Sequence, residues 1–418
     1  MKRLGFLFIT AVLFCSVVMT VSSCKKDNLM DGSSFLIQTP AQLAELAERV
    51  NAGTEPPGLY YKLLTDIDLS GYGAGWNNGA GWIPIGHARN GIGFSGHFDG
   101  NGHTVSNLYI NCTEYYYTGL FGVVRGGAVK NLGIVDADIT GGRYNNGVEN
   151  YVGGVAGYIG KGSISGNVGI ISGIITNCYV TGVISGYQYV GGVAGSSRSS
   201  ITNCYATCAV SGTGSSVGGV VGDITNGSID NCYATGTVSS GYHDVGGVAG
   251  CMINGSMTNC YATGAVSGND AVGGVAGNVI EGSNMTNCYA TGAVKGSRNV
   301  GGVAGQVIGS NITNCAALNS SIYSVSVYTS SGRIAGDVIS NSTLSNNVAW
   351  DGMTSNVTLQ TSNNRAGTGI TAAAAKTQNT YQSTLGWNFS SVWKWGGTAY
   401  SLPVLNWQTS VPAMPVHL

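Results

Sequence analysis

Charge is what this chain has least of. Asp, Glu, Lys and Arg make up 9% of its 418 residues, against about 25% in ordinary globular domains. The formal net charge is −1. A near-neutral surface gives no electrostatic footprint for DNA, RNA or an anionic membrane surface, so nucleic acid is not an expected partner. Long helical periodicity is scarce too, being confined in the mature chain to one short segment near the N-terminus, which excludes a helical bundle or helical repeat. The five histidines, His87, His97, His103, His243 and His417, include none followed by Glu. The His-Glu-x-x-His zinc helix, which needs two histidines on one face and a glutamate base, is therefore absent. Gly71-Tyr72-Gly73 and Gly160-Lys161-Gly162 lack the strand-to-helix setting that makes a phosphate loop.

Glycine and a repeat are what the chain has instead. There are 68 glycines, and a unit of about 28 residues recurs most clearly from Tyr189 to Thr313. A Val-Gly-Gly step opens at Val152, Val190, Val217, Val245, Val272 and Val300. An Asn-Cys step places cysteines at 178, 204, 232, 260, 288 and 315. Each unit holds short Val/Ile/Thr/Tyr stretches broken by Gly, Asn and Ser, which reads as three short strands with three corners. Stacked units of this kind form a right-handed parallel β-helix, an all-β solenoid whose like residues lie about 4.8 Å apart in ladders. A propeller blade would need about 40 to 50 residues and four strands. Regular Val, Ile, Ala and Tyr positions supply the apolar surface that a disordered Gly-rich tract lacks.

The ends are read separately. Lys2 and Arg3 precede an apolar run from Leu4 to Val21, which has the layout of an export signal over residues 1–23. Val21-Ser22-Ser23-Cys24 resembles the lipobox of bacterial lipoproteins. That resemblance implies lipidation of Cys24, a polar tether over 24–34, and anchorage to a Gram-negative envelope at the outer membrane, with exposure at the cell surface. Residues 35–150 are expected to hold an N-terminal cap and the first coils. Thr39-Pro40-Ala41-Gln42 is a capping box with Pro at the first helical position, and Leu43, Leu46, Ala47 and Val50 follow at helical spacing. This helix is expected to cover the open end of the solenoid. The repeat proper is placed over 151–353. Residues 354–418 are read as an irregular loop followed by an aromatic closing cap of Trp387, Phe389, Trp393, Trp395 and Trp407, which buries the last coil.

Leu64-Thr65-Asp66-Ile67-Asp68-Leu69, Trp82-Ile83-Pro84-Ile85-Gly86, Phe94 to Thr104, Gly119-Leu120-Phe121-Gly122 and the later repeats resemble the GLUG-motif proteins over roughly residues 35–305. That repeat also occurs in non-catalytic regions of IgA1-specific metallopeptidases and in bacterial surface adhesins. The resemblance implies a surface-exposed repeat scaffold without a catalytic site.

Binding and catalysis are weighed on particular residues. If Cys and the Ala two residues on point inward, strand alternation sends Tyr179, Tyr205, Tyr233, Tyr261 and Tyr289 outward as an exposed column, with Thr181, Thr207, Thr235, Thr263 and Thr291 beside it. Such a column suits a glycan or an extended host or matrix protein, through many weak contacts; equally, the rings serve to pack on one another. The rival is a polysaccharide-degrading β-helix enzyme, with Asp66, Asp68 and Asp99 as candidate acids and Arg89 near them in sequence. Asp-Gly-Asn-Gly is, however, ordinary turn chemistry. The acids Asp223, Asp230, Asp244, Asp270 and Glu281 fall at differing repeat positions, so they build no carboxylate ladder. His97 and His103 could meet across a turn, but a bland pair of turn residues is the favoured reading. No cofactor or metal is called for, and a third reading is an inert spacer. The laddered cysteines are read as a buried apolar column, because parallel stacking points their Cβ vectors the same way and a disulfide needs them to converge. Cys112, Cys208 and Cys251 lie off that ladder without an assignable partner.

Overall fold

The computed structural model describes residues 30–31, 34–87, 92–142, 149–163, 170–326, 330–398 and 400–418. The export signal, Cys24, most of the tether and Arg89 lie outside the described residues. The described chain winds into a parallel β-solenoid of about ten turns with about 28 residues per coil.

One coil shows how the repeat folds. It runs through Val217–Gly218, Val221–Thr225, Ser228–Asp230, Tyr233–Ala234 and Val238–Ser240. Each piece pairs in parallel with the same piece one coil on, as Val217 with Val245, Ile229 with Met257, Tyr233 with Tyr261 and Val238 with Val266. The expected three strands per coil are thus five shorter ones. The Val-Gly-Gly step is one of the breaks, Val217–Gly218 being parted from Val221–Thr225 at Gly219. Space is the reason: a Cβ on Gly219 would lie 2.1 Å from the Gly247 carbonyl oxygen and 2.6 Å from the Ala234 Cβ. Only glycine lets the chain bend there with its neighbour coil stacked directly on it.

The Asn-Cys step makes another corner. Asn131, Asn177, Asn203, Asn231, Asn259, Asn287, Asn314 and Asn346 all take left-handed φ between 51° and 56°, a conformation that asparagine tolerates better than most residues. Their amides stack: Asn203 Nδ2 donates to Asn177 Oδ1 at 3.1 Å, and Asn287 Nδ2 to Asn259 Oδ1 at 3.1 Å.

The cysteines that follow point inward and are buried. In the ladder, Cys178 N–H donates to Cys204 Sγ at 3.4 Å, while each thiol lies 3.2 to 3.3 Å from the carbonyl oxygen two residues back, as Cys260 to Thr258. All six are free thiols. Burial pushes the thiols of Cys178, Cys232, Cys260 and Cys315 well up, so they remain protonated. Cys112, Cys208 and Cys251 are free as well.

At the N-terminal end, the helix Pro40–Asn51 has the reciprocal capping box of Thr39 and Gln42. Its buried stripe Leu43, Leu46, Ala47 and Val50 belongs to the same core cluster as Ile37, Leu63 and Ile67. At the far end the stretch expected to be a loop does the closing. Gln360 N–H bonds to Ser331 O, Ile334 N–H to Arg365 O and Thr368 N–H to Asn347 O. Arg365, only 8% exposed, donates to Gly336 O at 3.2 Å and pairs with Asp337 at 2.6 Å.

Candidate binding face

The Tyr column is present. From Tyr205 on, each Tyr N–H bonds to the carbonyl of the ladder cysteine one coil earlier, as Tyr233 to Cys204 and Tyr261 to Cys232, both at 3.1 Å, while Tyr179 N–H bonds to Leu132 O at 3.0 Å. The rings of Tyr179, Tyr205, Tyr233, Tyr261 and Tyr289 follow one another at centroid distances of 4.9, 4.8, 5.0 and 4.8 Å. Successive planes differ by 2° to 7°. Ring spacing therefore copies coil spacing.

Exposure of the whole column, expected from alternation alone, is contradicted. Tyr179 and Tyr205 are half-buried, but Tyr233, Tyr261 and Tyr289 are 3%, 0% and 0% exposed. The chain's own C-terminal segment covers them. A hairpin of Trp393–Trp395 and Pro403–Leu405 lies over the column with Trp387 and Tyr400. Trp393 stands 6.4 Å from Tyr261 and 6.2 Å from Tyr289, and Trp407 stands 5.8 Å from Tyr233 and 6.1 Å from Tyr205. Tyr261 Oη donates to Gln408 Oε1 at 2.8 Å and Tyr289 Oη to Pro403 O at 2.7 Å. Burial pushes the Tyr261 and Tyr289 phenols well above their usual range. The Trp-rich cluster expected to close the end is thus a second layer along the side. Ala316 and Val348, which continue the column in the last coils, belong to the same buried cluster. Of the threonines beside the column, Thr291 is buried, Thr181, Thr235 and Thr263 are half-buried and Thr207 is exposed.

Another outer face is bare, and sequence reasoning passed over it. Two columns run up the sheet that contains Ser228–Asp230. One holds Ser200, Ser228, Ser256, Asn284, Asn311 and Thr343, and the other Thr176, Thr202, Asp230, Thr258, Thr286, Thr313 and Ser345. All are half-buried or exposed. The signal was available as the recurring Ser/Asn-Ile/Met-Thr triplet, whose middle residue is buried while its flanks face out.

The candidate acids are tied into turns and ladders. Asp66 accepts from Thr104 N–H at 2.8 Å and lies 3.3 Å from His103 Nδ1. Asp68 accepts from Asn107 Nδ2 at 2.8 Å and from Ser70 N–H at 2.9 Å. Asp99 accepts from Asn131 Nδ2 at 3.0 Å, which makes it the first rung of the asparagine ladder, and pairs with Lys130 at 3.2 Å. Hydrogen bonds from the Thr104 and Ser70 backbones and the Asn107 amide hold Asp66 and Asp68 below the usual carboxylate range. Asp99 is lowered too, its bonds from Asn131, Asn101 and Lys130 together outweighing burial. None of the three carries the raised pKa that a general acid in glycoside cleavage needs. His97 and His103 have different partners, His97 stacking on Tyr60 at 4.5 Å while His103 pairs with Asp66. Among the described residues, no three His, Cys, Asp or Glu side chains converge to hold a metal ion.

Burial raises two acids among the described residues, Asp230 and, further, Asp223; the second sits between two hydroxyls. It is 7% exposed and accepts from Ser196 Oγ at 3.1 Å and Thr225 Oγ1 at 3.0 Å. Burial pushes its pKa up to about 6.

Known proteins match this chain in its repeats. The GLUG motif is matched at residues 213–239, 241–267 and 268–295. Halomucin of Haloquadratum walsbyi is 35% identical over 141 residues, which is 33% of this chain and 1% of that protein. A protein of Evansella cellulosilytica, provisionally described as a Gly-rich membrane protein, is 32% identical over 152 residues, 34% of this chain and 17% of its own length. The match thus covers a small fraction of either relative. A solved structure from Bacteroides ovatus, provisionally assigned as an immunoglobulin A1 protease, superposes with a TM-score of 0.51 at 23% identity, covering 92% of this chain and 95% of that one. That likeness concerns the fold. The chain is a β-solenoid that carries three matches to the GLUG motif.

Proposed function

We propose that this chain is an adhesin-like binding scaffold of the cell envelope, lipid-anchored through Cys24 at the outer membrane, that presents an extended glycan or matrix-protein ligand with a long, regular face. The observation that supports it most is the pair of polar columns from Thr176 and Ser200 to Thr343 and Ser345, whose residues are all half-buried or exposed. Hydroxyls and amides recurring at the coil spacing offer a polymer many identical weak contacts, which add by avidity. Tyr179 and Tyr205, the open end of the Tyr column, are a second contact point, with rigid rings and phenol hydroxyls.

The test is binding of residues 25–418 to arrayed glycans and matrix proteins, beside Ser228→Lys/Thr258→Lys and Tyr179→Ala/Tyr205→Ala. Loss in the folded lysine variant supports the polar face. Loss only in the tyrosine variant moves the site to the column. No binding by any form favours an inert spacer. Mass analysis of the mature N-terminus, with Cys24→Ser as control, tests the anchor.

A further inference from the structure

Between Ile67–Asp68 and His97–Asp99 the chain leaves the regular winding and builds a wall facing the N-terminal helix. Two 3-10 turns, Ser70–Tyr72 and Asn77–Gly79, carry Tyr72 and Trp76, and Trp82 follows. Tyr72 stands edge-on to both indoles, at 5.0 Å and 69° from Trp76 and at 5.6 Å and 78° from Trp82. These rings line a cavity of about 390 Å³ together with Ala44, Ala47 and Glu48 of the helix. That lies within the roughly 300 to 1,000 Å³ usual for small-molecule sites.

Folding accounts for only part of this arrangement. Trp82 is a core residue, 1% exposed, with Nε1 donating to Leu120 O at 3.2 Å. Asn51 is a clamp: its Oδ1 accepts from Gly86 and His87 N–H at 2.8 and 3.2 Å, and its Nδ2 donates to Pro84 O at 3.1 Å. These bonds fix the wall against the helix and leave the Asn51 amide committed. Tyr72 and Trp76, by contrast, stay half-buried at the cavity, and Glu48 is exposed beside it.

The lining chemistry selects by charge. Ring faces carry negative potential, and the one carboxylate among the described lining residues adds to it. No Lys or Arg is among them. His87, on the opposite wall, is held below its ordinary pKa by burial, so it is neutral at pH 7. An anion meets no cationic side chain among the described lining residues, and it would face the Glu48 carboxylate. A bare metal ion would find a single carboxylate where it needs several oxygen ligands. A bulky, weakly hydrated organic cation meets crossed ring faces and a carboxylate together.

We propose that this pocket binds an alkylated ammonium group, with Tyr72 and Trp76 as the ring walls, Trp82 backing Tyr72 from the core, and Glu48 as the counter-charge. It is independent of the ligand proposed for the polar face. The experiment is isothermal titration of residues 25–418 with choline and with 3,3-dimethylbutan-1-ol, its uncharged isostere, and with glucose as a neutral sugar. Choline should bind saturably, and the isostere at least about tenfold more weakly, as expected when cation–π attraction supplies the discrimination. Trp76→Ala should abolish the heat, and Glu48→Gln should weaken it about threefold or more. Both positions lie outside the buried core, and an unchanged melting temperature verifies that each variant folds. No saturable choline binding, equal binding of the isostere, preferential binding of glucose, or choline binding that survives Trp76→Ala would each overturn the proposal.

Discussion

Two outer faces of one solenoid have met opposite fates. Both are built by the same rule, in which every second residue of a short strand points out and stacks on its copy in the next coil. On one face those residues are Ser, Thr, Asn and one Asp, and they stay half-buried or exposed. On the other they are Tyr, continued by Ala316 and Val348, and a second layer of chain lies over them. The difference is chemical. A column of hydroxyls is satisfied by water, whereas a column of rings leaves apolar area that is stabilised by cover, at roughly 25 cal/mol per Å² buried. Outward pointing and solvent exposure are therefore separate properties, and the residue type in the ladder decides whether they coincide.

Breaking the cover should have the largest effect. Trp393 is fully buried between Trp387 at 4.6 Å and the Tyr261 and Tyr289 rings. Trp393→Ala should cost about 3 to 5 kcal/mol in urea unfolding, the usual toll of an emptied aromatic site. Tyr179→Ala, at the open end of the same column, should cost less than about half of that.

A third outward column sharpens the comparison, because its middle rungs, Ser196, Asp223 and Cys251, are buried. Asp223 lies there in register with Ser196 and Cys251. Its pKa is about 6 in the fold against 3.8 for the free side chain. An acid with a raised pKa contributes its stability fully below the unfolded value and loses it as pH rises through the folded value. From well below pH 4 to well above pH 6 this group should therefore remove about 3 kcal/mol of stability, at 1.36 kcal/mol per unit, about two thirds of it between pH 4 and pH 6. Asp223→Asn should flatten that dependence in urea melts taken from pH 4 to pH 7.

Smaller effects separate the phenols. Tyr261→Phe removes the donor to Gln408 and should cost about 1 to 2 kcal/mol. Tyr205→Phe should stay within about 0.5 kcal/mol. Smallest of all, Ser256→Ala and Thr258→Val on the bare face should each leave chemical denaturation within about 0.5 kcal/mol of the parent.

Most of the coil was legible, since the Val-Gly-Gly and Asn-Cys steps fixed the repeat length and alternation placed cysteine inside and tyrosine outside. The capping box of Thr39 and Gln42 was legible for the same reason, being a contact three residues long. What escaped was non-local. Tyr289 and Pro403 lie 114 residues apart in sequence and Tyr261 and Gln408 lie 147 apart, and no periodicity links a repeat to the segment that folds back on it. The closing role of Arg365 escaped similarly, because a lone Arg in a Ser/Asn-rich stretch gives no sign that its partners are Gly336 and Asp337. The asparagine corner was visible as Asn-Cys, but its use as a hydrogen-bonded ladder depends on eight residues sharing one backbone conformation.

The central claim is that the C-terminal segment buries Tyr233, Tyr261 and Tyr289 and leaves Tyr179 and Tyr205 half-buried. Hydroxyl-radical footprinting read by mass spectrometry, on residues 25–418 and on the same protein ending at residue 371, tests it directly. The account expects Tyr179 and Tyr205 to be modified in both proteins, and the other three to be protected in the longer one and reactive in the shorter. Equal modification of all five rings in the longer protein would contradict it.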